Sequence, residues 1–248
     1  TIDRARPPRT AGQAQHVVAA GAPLRRVVGC LLSNELLDAF PVHRFEVRDG
    51  RVLEVYVAVS DGELAEAVDE PSTPRLSQHV EGLGIELPEG FRGEVNLGIG
   101  SWMAGLAEAL DRGFVLTIDY GYGRGELYSP ERRGGTVQGY YRHTEVADPY
   151  RRVGEQDITA HVDFDYVAAQ GRVAGLSPLG LRTQASFLRD LGLSGWLDRI
   201  RREPMPESRR HANLMGMRDL ISPEGFGGFR VLLQEKGTGL AELPDTPV

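Results

Sequence analysis

Val27-Val28-Gly29-Cys30-Leu31-Leu32, followed at once by Ser33-Asn34-Glu35-Leu36-Leu37-Asp38-Ala39-Phe40-Pro41, is the stretch whose reading decides the fold. The first six residues form a short, unbroken apolar run, the pattern expected of a strand covered on both faces of a parallel sheet. Two carboxylates and an amide stand directly behind it. In open α/β sheets ligands occupy the crevice beyond the carboxyl ends of the strands, which puts Asn34, Glu35 and Asp38 where chemistry is done. The same spacing also fits a helix start, with Ser33 or Asn34 as N-cap and the two acids in the first turn. Spacing alone leaves both readings open.

Working outward, Ala11 to Ala20 reads as a short helix. Residues His43 to Val59 alternate apolar and polar around Asp49-Gly50, a strong hairpin signal. The prolines and glycines between Pro71 and Gly90 predict an irregular stretch with short edge strands. Ser101 is expected to cap a helix closed by Gly113, with the strand Phe114 to Ile118 next, leading into Asp119-Tyr120-Gly121. Residues Gly121 to Ala160 lack periodicity, and loops of that length act as lids or binding segments. Helices are expected from Asp163 to about Ala174, from Thr183 to Gly192, from a Ser194 cap, and from Pro206 to Ile221. Phe229 to Leu233 alternates as a last strand.

Composition excludes several classes. The 248 residues can bury one substantial core, and 25% charged with 41% hydrophobic residues is typical of a globular chain. No run approaches the roughly 18 apolar residues of a membrane span. A formal charge of -7 without a dense basic stretch argues against nucleic acid as partner and suits a cationic substrate. Cys30 is the only cysteine, which rules out an intrachain disulfide and a thiolate metal cluster and predicts a reducing, cytoplasmic setting. The Arg/Pro-rich opening Arg4 to Arg9 reads as a surface loop, not a signal or transit peptide.

Several motifs resemble functional signatures but lack the context these need. Val115-Leu116-Thr117-Ile118-Asp119-Tyr120-Gly121-Tyr122-Gly123-Arg124-Gly125 looks like a strand entering a nucleotide loop, but Pro130 and Gly134-Gly135 interrupt the helix that should follow. His161 and Asp163 are the one close pair with metal-like chemistry, too few for a site; Asp163 reads as a helix cap and His161 as locally bonded. His43 could face the crevice or decorate the hairpin. No metal site is expected, and neither a nucleophile elbow nor a P-loop is present.

Six segments in order, SNELLDAFP (33–41), TIDYG (117–121), GTVQGY (135–140), DITAHVDF (157–164), TQASFLRDLG (183–192) and the late GFGGFRV, resemble the MidA-type methyltransferases, relatives of the mitochondrial complex I assembly-factor arginine methyltransferase. The resemblance covers about residues 30 to 236. It implies an α/β, class I methyltransferase fold with a Rossmann-like sheet that uses S-adenosyl-L-methionine. It also implies a single domain over 1–248 lacking its amino-terminal donor-binding strands, with a β-rich hairpin insertion at 43–95 and a loop and helical insertion at 121–225. Val27 to Leu32 would be the fourth strand, Phe114 to Ile118 the fifth and Phe229 to Leu233 the last.

By the same resemblance Ser33 and Asn34 face the donor, and Asp3 is the one residue matching the acid that binds its ribose. Glu35 is similar to the first glutamate of the loop that holds an acceptor guanidinium. The second glutamate is replaced by Arg44, so Asp38 would supply the other carboxylate. Bidentate carboxylate contacts fix the guanidinium plane for attack. The glycine-rich donor loop has no counterpart in the sequence.

Two functions follow as expectations. One is methyl transfer to arginine of a protein substrate, with Glu35 and Asp38 catalytic. The other is a non-catalytic assembly or binding module that keeps the fold. A homo-oligomer is compatible with either.

Overall fold

A computed structural model describes residues 25–241 except 143 and 147, together with the backbone of two short paired strands, Asp3–Arg4 and Val17–Val18. Of the helix expected over 11–20, the described pair Val17–Val18 is therefore strand; the rest lies outside the described residues, as does the Asp3 side chain.

The sheet that positions the site has four strands. Strand β1 (Val27–Asn34) lies beside β6 (Leu110–Asp119) in parallel, with Leu31 opposite Val115 and Asn34 opposite Ile118. The expected neighbours are thus neighbours. Beyond β6 run β13 (Arg230–Lys236) and β12 (Ser177–Thr183), each antiparallel to the strand before it, so the sheet is mixed. Helices α2 (Ile99–Ala109) and α4 (Phe164–Val173) cover one face, burying Met103, Leu106, Phe164 and Val167 against Leu37, Val115 and Leu232. Burial of each such side chain stabilises the fold by about 1.5–3 kcal/mol.

Strand β1 is not covered on both faces as its apolar run predicts. Val28 and Leu32 are 65% and 64% exposed and Cys30 is exposed, because β1 is the edge of this sheet among the described residues and only the face bearing Val27 and Leu31 meets the helices. No helix follows Asn34 either, so Ser33 and Asn34 are not helix caps. Gly113 lies inside β6 instead of closing α2, at φ +138°, where an added Cβ would sit 1.9 Å from the Gly29 carbonyl oxygen. That close approach needs glycine. The helix before it starts at Gly98 rather than Ser101.

The hairpin forms as its turn chemistry dictates. β2 (His43–Arg48) and β3 (Arg51–Ser60) pair across Asp49-Gly50, both at positive φ. With β4 (Glu63–Asp69) and β5 (Arg92–Val95) they make a second, antiparallel sheet ordered β4-β3-β2-β5. Its core, Phe45, Phe91, Val95 and Tyr128, packs on α1 (Pro74–Glu81) through Leu76 and Val80. This helix replaces the expected irregular stretch: Thr73 caps it and Pro74 occupies the first turn, where a missing N–H costs nothing.

Residues 121–160 fold into small elements. β7 (Gly121–Tyr122) leads into the four-residue α3 (Arg124–Leu127); β8 (Gln138–Tyr141), β9 (Thr144–Val146) and β10 (Asp157–Thr159) form a three-stranded sheet; β11 (Val162–Asp163) pairs with β7 in parallel. Asp163 and Thr183 cap α4 and α5 (Gln184–Asp190) as expected. The next helix, α6 (Leu193–Arg202), starts from left-handed Gly192 rather than from Ser194. α7 (Glu207–Asp219) follows Pro206. No helix among the described residues is long and apolar enough to cross a membrane.

Candidate active site

The parallel pairing of β1 and β6 brings their carboxyl ends together, and the chain turns sharply at each. Glu35 adopts φ +48°, a conformation that costs a non-glycine residue about 1–3 kcal/mol unless the surroundings enforce it. Three backbone bonds do so. The Glu35 N–H donates to the Ile118 carbonyl at 3.0 Å, and the next two N–H groups, of Leu36 and Leu37, donate to one carboxylate oxygen of Asp119 at 3.1 and 2.9 Å. The other Asp119 oxygen accepts the N–H of Tyr120 at 3.0 Å.

Asp119 is fully buried, and burial pushes its carboxyl up to about 7, with the nearby Asp38 charge adding to the rise and the three N–H donors opposing it. Tyr120 donates its phenolic proton to Asp38 Oδ2. Burial, then that bond, raises the Tyr120 phenol. Asp38 is itself buried, and its Oδ1 has no hydrogen-bond partner among the described residues.

Asp38 and Tyr120 form the floor of an open cleft of about 930 Å³, with Asp119 buried behind them. Glu35 stands at its rim, exposed, with its carboxylate accepting the Asn34 amide at 2.9 Å. One wall is aromatic: Tyr120 and Phe229 lie 5.4 Å apart by ring centroids, with Tyr122, Tyr140 and His161 beside them. Asp157 and Glu224 add acidity, and no lysine or arginine among the described residues lines the cleft. The 121–160 segment supplies much of this wall and is tied to the floor where the Ala160 N–H donates to the Asp38 carbonyl at 3.0 Å.

Of the expected site residues, Glu35 and Asp38 meet on this cleft. Ser33 and Asn34 lie just behind it at the end of β1, outside its lining. His43 decorates the hairpin, 2.7 Å from Glu54. Arg44, in place of a second glutamate, is committed to Glu66 and to the Tyr150 hydroxyl at 2.7 Å. The glycine-rich segment after β6 does open a helix, but α3 is one turn long and the Arg124 N–H at its start is taken by Asp165 at 2.8 Å, leaving an acid where a phosphate would sit. Asp119 and Tyr120 went unassigned in the sequence, where the one signal is an Asp-Tyr pair ending a buried strand; His161, expected to bond locally, does so through its backbone N–H to Thr136, while its ring Nδ1 has no partner among the described residues.

Residues 13–182 match the family described as "Putative S-adenosyl-L-methionine-dependent methyltransferase". The chain is 29% identical over 228 residues to the mitochondrial protein arginine methyltransferase NDUFAF7 homolog of Drosophila melanogaster, covering 88% of this chain and 49% of that one. It is 28% identical over 202 residues to the mitochondrial protein arginine methyltransferase NDUFAF7 of Danio rerio, covering 79% and 44%. A Burkholderia thailandensis protein crystallised with S-adenosyl-homocysteine superposes with a TM-score of 0.78 at 31% identity, over 88% of this chain and 56% of that chain. A native structure from the same organism gives 0.78 at 30%, over 90% and 60%. The chain thus spans about half the length of the curated relatives it matches. Those relatives are mitochondrial, which overturns the cytoplasmic setting expected from the lone cysteine. A single thiol excludes a disulfide framework; it does not choose among compartments.

Proposed function

Because the chain belongs to this S-adenosyl-L-methionine-dependent methyltransferase family, we propose that the cleft serves methyl transfer to a cationic nitrogen, that of an arginine on a partner protein. The observation that carries this reading is Asp38: a buried carboxylate with one oxygen held by Tyr120 and the other without a partner among the described residues, on the floor of an acidic, aromatic cleft that no described lysine or arginine lines. A buried charge is tolerated only when paired, and a guanidinium would complete the pairing with two or more donors. The aromatic wall suits the same cation, since ring faces attract it.

The donor, when bound, supplies an already activated methyl group on a cationic sulfonium. The acidic lining and the size of the cleft fit such a group beside an acceptor chain. Ser33 and Asn34, at the end of β1, would hold its polar part, and Asp3 would take its ribose. Glu35 and Asp38 orient the acceptor guanidinium, while Asp119 fixes the loop that carries Glu35. Catalysis is then chiefly positioning. The names of the relatives support arginine as acceptor and a mitochondrial setting, and a part in complex I assembly belongs to the same proposal.

Calorimetric titration with S-adenosyl-homocysteine tests the reading. Saturable one-site binding supports it, and absence of binding at millimolar ligand favours the non-catalytic binding module instead.

A further inference from the structure

The geometry points to His161 as the base that takes the proton released by the acceptor nitrogen, an inference that rests on the transfer reading above. His161 sits on the turn between β10 and β11. Its N–H donates to Thr136 Oγ1 at 3.0 Å, and Thr136 is held by Glu94 through its own N–H at 2.8 Å and hydroxyl at 3.0 Å. The backbone carrying the imidazole is therefore fixed from below.

The ring stands edge-on to Tyr120 at 5.5 Å between centroids and tilted against Tyr122 at 5.4 Å. It lines both the open cleft and a smaller cavity of about 20 Å³. Its Nδ1 is buried without a hydrogen-bond partner among the described residues. His79 Nε2 and both amide atoms of Gln234 share that unpartnered state, and what sets His161 apart is its place in the lining of the open cleft beside Asp38 and Tyr120.

The charged and titratable groups around it are Asp38 and Tyr120 on the cleft floor, Tyr122 on the wall with Arg132 stacked on its ring outside the lining, and Asp163, Glu94, His79, Tyr128 and Tyr166 around the smaller cavity. Burial and then Arg132 lower the imidazole pKa against an opposing pull from Asp38. Both lowering effects favour the neutral ring, the form able to accept a proton.

In the transfer, the acceptor nitrogen uses its lone pair to form the new N–C bond as the C–S bond breaks, its electron pair staying on sulfur. The proton then on that nitrogen passes to His161 and from there to water in the open cleft. Glu35 and Asp38 are occupied by the acceptor's charge, and Asp38 already receives the Tyr120 proton.

The test uses the full chain with two readouts. Histidine-labelled protein is titrated with ethylguanidinium and followed by NMR; the His161 ring resonances should shift and its pKa should fall as a cation enters the cleft. Single-turnover methyl transfer to a glycine- and arginine-rich peptide is then compared with His161→Asn across pH 5.5–9. The variant should lose about 100-fold or more in rate. It should keep donor affinity, lose the acidic limb of the profile and regain rate with added imidazole.

An unchanged rate and profile in His161→Asn, or a ring blind to ethylguanidinium, overturns the role of His161 and leaves the transfer reading standing. Wild-type protein that neither binds S-adenosyl-homocysteine nor transfers methyl overturns both.

Discussion

The carboxylate of Asp119 accepts the N–H of Leu37 at 2.9 Å, joining the end of β6 to a loop 82 residues earlier in the chain. The same oxygen takes the N–H of Leu36, so one buried acid holds the two residues that follow Glu35. Asp119→Ala strands these donors, at about 1–3 kcal/mol for each one left unpaired and buried. We predict a loss of about 2–4 kcal/mol in urea unfolding. A loss below about 0.5 kcal/mol would mean the loop is held by other contacts.

The pH dependence has a definite sign. An unfolded aspartate titrates near 3.9, whereas burial holds Asp119 at about 7 in the folded state. The folded protein thus binds the extra proton between those values. The stability this contributes is fully present below about pH 4 and is lost as pH rises through about 7. Glu46, Glu54 and Glu66, lowered by arginine or histidine partners, act in the opposite direction, so the comparison must be differential. Subtracting the stability curve of Asp119→Asn from that of the wild type should leave a difference that falls from pH 4 to pH 7; a flat or rising difference contradicts the assignment.

Much of the frame was legible in the sequence and some of the site was not. The unbroken apolar run of β1 and the Asp49-Gly50 turn are local signals that gave a strand and the hairpin, while the β1–β6 pairing was what the family resemblance implied. Helix α1 was hidden because Pro74 reads as a breaker until Thr73 is recognised as its cap. The bare face of β1 could not be read from a pattern that looks alike at the centre and the edge of a sheet. The position of Glu35 and Asp38 on the cleft was legible because they follow that strand directly. Asp119, Tyr120 and His161 depend on which strand ends lie side by side, a tertiary fact that spacing does not carry.

Gln234, in β13, has no exposed surface and neither amide atom has a hydrogen-bond partner among the described residues. Replacing an unsatisfied buried amide by an apolar side chain of similar shape is neutral to stabilising. Gln234→Met is expected to raise stability by about 1 kcal/mol, the low end of the cost of burying an unpaired amide. Thermal unfolding checks this, and a clear fall in midpoint would show that the amide is satisfied.

The central claim is that the acidic cleft at the ends of β1 and β6 orients a guanidinium for methyl transfer. Single-turnover transfer from labelled donor to an arginine-containing peptide, run beside donor titration, tests it most directly. Glu35→Gln should abolish transfer while donor affinity stays within a few-fold, since the carboxylate acts mainly in the transition state. Asp38→Asn should lose a comparable share of the rate if Asp38 is the second carboxylate. Transfer at the wild-type rate in Glu35→Gln would contradict the account and leave Glu35 as a surface carboxylate at the rim of the cleft.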